Sequence, residues 1–169
     1  MLRPAAERGR ARNNPDRADL QARPGTYVLW LRLDTGLRVP VGGLGPVEFP
    51  AGHYAYVGSA FGPGGIAARL GRHLRSSKKN QRWHVDYLRA VARPRAAWVS
   101  YDATRHEHRW AVSLAAVAGA QVPVAGFGSS DCRCPSHLLW FRRPPSLQTF
   151  RATCAPEEPV IGVVTRICG

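Results

Sequence analysis

Residues 26–33 carry apolar side chains on both of the faces that a β-strand would present. One face holds Tyr, Leu, Leu and Leu, and the other holds Val, Trp and Arg. A strand that is apolar on both faces has to be covered on both sides. The sequence therefore predicts a central strand lying between two packed layers.

Strand and helix patterns alternate along the rest of the chain. Period-two patterns separated by turn residues predict strands at 37–41, 47–49, 53–59, 96–101 and 137–141. The four-residue spacing of Ile66, Leu70 and Leu74 predicts an amphipathic helix, and further helices are expected at 81–92 and 106–118. We expect a domain over 25–141, after a basic disordered tail (1–24) and before a Pro-rich extension (142–169).

The chain is strongly basic, and one segment holds the excess charge. Its 169 residues carry 24 Lys and Arg against 11 Asp and Glu, a net charge of +13. Residues 66–95 hold nine cationic side chains against Asp86 alone. Such a surface favours a polyanion, DNA first and RNA as the alternative, although a solvated helix face has the same pattern. The candidate nucleic-acid contacts are Arg72, Arg75, Lys78, Lys79, Arg82 and His84.

The same composition argues against a membrane or secreted protein. No apolar run approaches the roughly 20 residues of a membrane-spanning helix, and the N-terminus lacks the apolar core of a signal peptide. The 4 cysteines are too few and too C-terminal to form a disulfide scaffold. We expect a reduced, cytoplasmic protein without a membrane partner, and the sequence defines no oligomeric state.

An ordered set of short motifs begins at the predicted first strand: Gly25-Thr26-Tyr27, then Tyr56-Val57-Gly58, then Arg69 with His73 one helical turn later. In this order the motifs resemble the GIY-YIG nuclease superfamily. Longer stretches (49–60, 83–88, and 126–134 with 136–138) resemble a prokaryotic branch of it that is sometimes joined to endonuclease III.

The resemblance implies an α+β fold in which helices flank a small, mainly antiparallel central sheet. It also implies cleavage of DNA phosphodiesters with one Mg²⁺ or Mn²⁺ ion, in DNA repair or processing. The implied catalytic residues are Tyr27, Tyr56, Arg69, His73 and Glu107, with Glu107 as the metal ligand.

The chemistry of these residue types is consistent with that activity. A carboxylate suits a hard cation, and the guanidinium of Arg69 suits non-bridging phosphate oxygens. A tyrosine next to the metal, with its pKa lowered, would orient or deprotonate the attacking water, and Tyr56 is the first candidate and Tyr27 the second. His73 would relay a proton or hold the phosphate.

Position 59 departs from the family pattern. Several members carry Lys directly after the second motif glycine, whereas this chain has Ser59. A hydroxyl supplies no charge, so either turnover is slow or another cation such as Arg72 substitutes. The glycine-rich loop 62–65 would let a phosphate approach backbone N–H groups. A non-catalytic nucleic-acid-binding module using residues 66–95 stays open as an alternative.

Cys132, Cys134 and His137 form the pattern C-x-C-x2-H. A structural zinc site needs four ligands, and nothing in the sequence brings a fourth close, so zinc is not expected. The alternatives are a loop folded by local hydrogen bonds, a zinc-stabilised scaffold, or a wall of the substrate cleft. Residues expected in or behind that cleft are Gly58, Ser59, Asp86, Ser130, Asp131, Cys132, Cys134 and His137.

Overall fold

The computed structural model describes residues 20–75 and 81–154. The elements in chain order are β1 (Gly25–Leu33), β2 (Leu37–Pro40), a 3-10 turn (Gly42–Leu44), β3 (Pro46–Phe49), β4 (Gly52–Ala60), α1 (Gly65–Leu74), α2 (His84–Arg89), β5 (Arg93–Ser100), α3 (Glu107–Ala115), β6 (Leu138–Phe141) and α4 (Leu147–Arg151). In this part of the chain an antiparallel sheet has the strand order β5-β1-β4-β6, and β2 and β3 form a separate hairpin. The predicted α+β fold is confirmed.

Strand β1 is covered on both sides, as its sequence requires. Tyr27, Leu29 and Leu31 pack in a first core with α1, α2 and the β2–β3 hairpin. Val28 and Trp30 pack in a second core with α3 and α4. The sheet is therefore a middle layer, and residues that alternate along β4 are presented to different cores.

Helices α1 and α2 are joined by polar contacts at their ends. The carboxylate of Asp86 accepts hydrogen bonds from the backbone N–H groups of Arg82 and Trp83, both at 2.9 Å, and so closes the N-terminus of α2. The guanidinium of Arg89 donates to the carbonyl oxygens of His73 and Leu74, which closes the C-terminus of α1. Helix α2 is shorter than the predicted 81–92, and Pro94 lies within the edge strand β5, where proline is tolerated.

The domain begins before Gly25. The carbonyl oxygens of Gln21 and Arg23 accept hydrogen bonds from the first-turn N–H groups of Ala67 (3.0 Å) and Ile66 (2.9 Å). Residues 20–24 are thus part of the fold and occupy the N–H groups of the two residues that directly follow the glycine-rich loop 62–65. Residues 1–19 of the expected tail lie outside the described residues.

The domain also continues beyond Phe141, the end expected from the sequence. Helix α4 packs its fully buried Phe150 against Trp98 and Trp110, with ring centroids 5.3 and 5.5 Å apart. A five-residue helix shows no amphipathic repeat, which is why the sequence pattern missed it. No helix in the described ranges has the length and apolar character needed to cross a membrane.

Candidate active site

A cleft of about 300 Å³ lies at the end of strand β4. Tyr56 and Ser59 of β4 line it. One side, which we call the helix wall, consists of α1 and the start of α2 and contributes Arg69, Arg82, Trp83 and His84. The other side, the loop wall, consists of residues 105–108 and the loop 126–137, and contributes Arg105, Glu107, Gly128, Ser130 and Asp131.

The motif glycines are explained by close packing under this cleft. Gly58 pairs with Tyr27 across the sheet, and a Cβ at position 58 would lie 2.5 Å from the phenol ring and its hydroxyl. A Cβ on Gly25 would lie 2.1 Å from the carbonyl oxygen of Ser100. Both contacts exclude any side chain larger than hydrogen without rearrangement.

Two tyrosines and a histidine form a buried ring cluster beside the cleft. Tyr27 and Tyr56 have ring centroids 6.4 Å apart, and each lies 6.1 Å from the ring of His73. Burial raises the pKa of both phenols above the usual value. Burial acts against the lowered tyrosine pKa that the sequence led us to expect beside a metal ion, because the rings are desolvated where the neutral phenol is favoured.

Arg69 lies between this cluster and the cleft. Its guanidinium lies 4.8 Å from the ring centroid of Trp83 and interacts with the Tyr27 phenol. Among the described residues, neither Arg69 Nε nor the Tyr27 hydroxyl has a hydrogen-bond partner, although both atoms are buried. Buried donors of this kind are normally satisfied, so the guanidinium of Arg69, which lines the cleft, is suited to an external acceptor such as a phosphate oxygen.

Glu107, the first residue of α3, extends its carboxylate into the cleft from the loop wall. Ser59 Oγ donates to Glu107 Oε2 at 2.5 Å, and His137 Nδ1 lies 3.2 Å from Glu107 Oε1. Burial raises the pKa of Glu107, whereas its contacts with His137 and Ser59 lower it by more, and the net pKa lies below the usual value. The group is an ionised carboxylate at neutral pH.

Asp86 connects the two helices of the helix wall. Its carboxylate lies 2.9 Å from Arg72 Nη2 and 3.3 Å from His73 Nδ1. Burial raises the pKa of Asp86, but its contacts with His73 and with the backbone of Trp83 outweigh this and bring the pKa to about 2. Asp86 is therefore a structural anion behind the cleft.

A second group of potential metal ligands lies behind Glu107. It comprises His108, Cys132, Cys134 and His137, whose ligand atoms all lie within 4.8 Å of one another. Burial and the neighbouring Cys132 raise the pKa of the Cys134 thiol to about 11. Sequence spacing alone identified three members of this group, and the fold adds the fourth from α3.

A family model described as domain of unknown function DUF123 matches residues 26–157. This chain belongs to that family. The match runs from β1 to beyond α4 and includes both walls of the cleft. No curated protein and no solved structure matches the chain.

The DUF123 domain brings the five predicted catalytic residues into one region. Tyr56, Arg69 and Glu107 line the cleft, whereas Tyr27 and His73 are buried behind it at 0% and 1% exposure. A direct contact between His73 and a phosphate is thus excluded in this conformation. Burial lowers the pKa of His73 despite the opposing effect of Asp86, so the ring is neutral at pH 7.

The predicted basic surface is only partly a surface of the DUF123 domain. Arg72 contacts Asp86 and the ring of Trp83, so it does not replace the missing lysine. Arg75 is exposed, and Arg82 is exposed at the cleft. His84 accepts a hydrogen bond from Gly128 N at 3.1 Å and so joins the two walls. Lys78 and Lys79 lie outside the described residues.

Of the residues expected in or behind the cleft, the structure places some in its lining and others behind Glu107. Ser59 is committed to Glu107, and Ser130 and Asp131 line the cleft as expected. Cys132, Cys134 and His137 lie behind Glu107 rather than in the cleft.

Sequence reasoning missed three residues of this DUF123 site. Trp83 lies under the guanidinium groups of Arg69, Arg72 and Arg82, at 4.8, 4.0 and 5.4 Å. Arg105 precedes α3, packs over Phe61 at 4.6 Å and supplies positive charge to the loop wall. Trp83 could have been found from the sequence, because it lies between Arg82 and His84, two of the candidate nucleic-acid contacts. No local pattern marks Arg105 or His108 as site residues.

Proposed function

We propose that the protein is a metal-dependent endonuclease that hydrolyses DNA phosphodiesters in DNA repair or processing, in the manner that the GIY-YIG resemblance implies. The observation that carries the proposal is the convergence of Tyr56, Arg69 and Glu107 on one cleft. These side chains come from three elements and are far apart in sequence. Their types supply what phosphodiester hydrolysis requires: a hydrogen-bond donor to the phosphate, a metal ligand and a hydroxyl that orients water.

The charge of the cleft supports a phosphodiester substrate. Arg69, Arg82 and Arg105 line it together with the carboxylates of Glu107 and Asp131. The arginines suit phosphate oxygens, while the acidic groups create a place for a cation beside them. A purely cationic groove would favour binding without cleavage.

Glu107 fits the role of a ligand for Mg²⁺ or Mn²⁺. Its carboxylate is ionised, faces the cleft and retains lone pairs beyond those directed to Ser59 and His137. One carboxylate with water and phosphate oxygens is an adequate donor set for a hard cation. When bound, the cation would polarise the phosphate and stabilise the leaving oxygen.

The other cleft side chains would bind the phosphate, orient the attacking water and position Glu107. Arg69 would bind the non-bridging oxygens with its guanidinium, whose Nε has no partner among the described residues. Tyr56 stays a neutral phenol because burial raises its pKa, so its hydroxyl would orient the attacking water or the phosphate instead of removing a proton. Ser59, at the position where several family members carry lysine, would hold Glu107 in place through its hydrogen bond. A cytoplasmic location belongs to this proposal, because the resemblance is to a prokaryotic branch, in which DNA lies in the cytoplasm.

The test is a cleavage assay with purified protein on supercoiled, mismatched and branched DNA, with Mg²⁺ or Mn²⁺. We expect nicking by the wild type and a loss of about 100-fold or more in Arg69→Ala and in Glu107→Gln, since removing one transition-state contact has effects of about that size. Arg38→Ala and Glu48→Gln are matched controls, because this exposed pair on the hairpin makes the same charge changes outside the cleft.

Thermal unfolding of every variant separates a lost function from a lost fold. Equal cleavage by wild type and both cleft variants would show contamination and end the proposal. Steeply salt-dependent DNA binding without cleavage under either metal would instead support the non-catalytic nucleic-acid-binding module.

A further inference from the structure

We infer that the DUF123 domain contains a structural zinc site formed by Cys132, Cys134, His108 and His137. The inference does not rest on the proposed endonuclease function. It rests on the placement of these four side chains and on the way their remaining atoms are bonded.

The ligand set and its spacing match tetrahedral zinc. All four ligand atoms lie within 4.8 Å of one another. Cys132 Sγ lies 3.4 Å from His137 Nε2, and Cys134 Sγ lies 3.4 Å from His108 Nδ1. In a tetrahedron with Zn–S near 2.3 Å and Zn–N near 2.0–2.1 Å, the separation of sulfur and nitrogen is about 3.6 Å. These two pairs need a shift of only a few tenths of an ångström, while separations of up to 4.8 Å within the group would have to close by about 1 Å.

The atoms behind the ligands have the partners that zinc sites use. His137 directs Nε2 to the cluster, and its Nδ1 lies 3.2 Å from Glu107 Oε1 without a well-formed hydrogen bond among the described residues. Zinc binding would bring this pair into the carboxylate–histidine–metal arrangement that orients a ligating imidazole. The backbone N–H of Cys134 donates to Cys132 Sγ at 3.4 Å, which would stabilise a thiolate. His108 is exposed, so an ion can enter from solvent.

Such an ion would connect the two parts of the loop wall. His108 follows Glu107 at the start of α3, whereas the other three ligands belong to the loop 126–137. Binding would release the two thiol protons to solvent and leave neutral imidazoles on a Cys₂His₂ centre. With four protein ligands the site is closed to substrate, so its role is to hold Glu107 and the cleft-lining loop in position.

The test is the zinc content of full-length protein, purified under reducing conditions and equilibrated with one equivalent of Zn²⁺. We expect about one zinc per chain in the wild type and in Cys154→Ser, a matched control outside the cluster. Cys134→Ser and His108→Ala should lose it. Wild type without zinc, or a Cys132→Ser/Cys134→Ser protein that still holds it, would overturn the inference.

Cobalt gives a readout that needs no variant to fold. Metal-free wild type titrated with Co²⁺ alone should develop the visible absorption of tetrahedral thiolate coordination, with an end point near one equivalent. A pink octahedral spectrum without a thiolate band would show that the four side chains do not act together, and the inference would fail. Neither measurement depends on DNA cleavage, so the fate of the zinc site and that of the nuclease proposal are separable.

Discussion

The helix wall and the loop wall of the cleft are held together by different means. In the helix wall, Asp86 accepts two backbone N–H bonds and contacts Arg72 and His73. In the loop wall, short-range contacts join thiols, imidazoles and Glu107. In the first set, the charge of Asp86 is balanced by groups of the protein alone, with Arg72 as its cationic partner. The second gathers ligand atoms whose natural common partner is a cation.

The comparison indicates that the two walls respond to different perturbations. A chelator should act on the loop wall, and acid or a neutralised aspartate should act on the helix wall. Substitutions at the mouth of the cleft should leave both walls intact and affect only binding.

Zinc removal is expected to have the largest effect. If free zinc is about 1,000 times its Kd, linkage stabilises the fold by about 4 kcal/mol. Its removal would then lower the Tm by about 10 °C for a domain of this size. Differential scanning calorimetry with and without chelator measures the change, and hydrogen exchange should rise in 126–137 before 66–74. Cys134→Ser is the control, since its Tm should not respond to the chelator. If the Tm of the wild type does not respond either, zinc does not stabilise the loop wall and the two walls do not differ in this respect.

Neutralising Asp86 should weaken the helix wall by a smaller amount. The pKa of Asp86 is lowered from 3.8 to about 2, and nearly two pKa units correspond to about 2 kcal/mol of stability. Because the folded pKa is depressed, this contribution is present above pH 4 and is lost as the pH falls towards 2. Asp86→Asn should therefore be about 2 kcal/mol less stable than wild type at pH 7, and the two should converge near pH 2.

Urea unfolding across that pH range gives the measurement. Asp34→Asn is a useful comparison, since Asp34 is an exposed anion paired with Arg32 and Arg93 on the opposite part of the domain. Exposed pairs contribute little. A constant difference between wild type and Asp86→Asn from pH 7 to pH 2 would mean that the effect does not come from the carboxylate charge.

Trp83→Ala should reduce DNA affinity by about tenfold, and the variant is measured under conditions where it remains folded, because the indole also packs against the first core and His73. The indole holds the guanidinium groups of Arg69 and Arg72 and is partly exposed at the cleft. Stacking of a base on an aromatic ring contributes roughly 1–3 kcal/mol. Trp83→Phe should retain most of the affinity, and fluorescence anisotropy with single-stranded and duplex DNA provides the measurement. Equal affinity for wild type and Trp83→Ala would place the nucleic acid elsewhere.

Arg82→Ala should have the smallest effect. Arg82 is exposed at the mouth of the cleft, so it would contact a phosphate without fixing the fold. Removing one phosphate contact lowers the slope of log affinity against log salt by about 1. The Arg38→Ala control changes the net charge equally and should keep the wild-type slope. Identical slopes in all three proteins would exclude Arg82 from the interface.

Much of the fold was predictable because strand and helix periods are local properties of the chain. The two-sided apolar pattern of 26–33 and the spacing of Ile66, Leu70 and Leu74 led to correct elements and to the two-layer covering of β1. Helix α4 was missed because one buried Phe150 in a short turn leaves no repeat. Residues 20–24 were missed because their order comes from the first turn of α1 and not from their own composition.

The candidate site was predictable to a lesser degree. Tyr56, Arg69 and Glu107 were expected in one cleft, and the structure brings them there. The raised pKa values of Tyr27 and Tyr56 were not predicted, because they depend on burial, which the residue type does not reveal. Trp83 and Arg105 were missed because aromatic support of a guanidinium is a contact between elements.

Local sequence patterns are enough to assign most strands and helices and to list the residue types available for chemistry. They do not reveal that Glu107 enters the cleft while the next residue, His108, contacts Cys134, which lies 26 positions further along the chain. Periodicity describes one element at a time, so it carries no information about such contacts. The meeting of α3 with the loop 126–137 depends instead on how the second core positions that helix against β4 and β6.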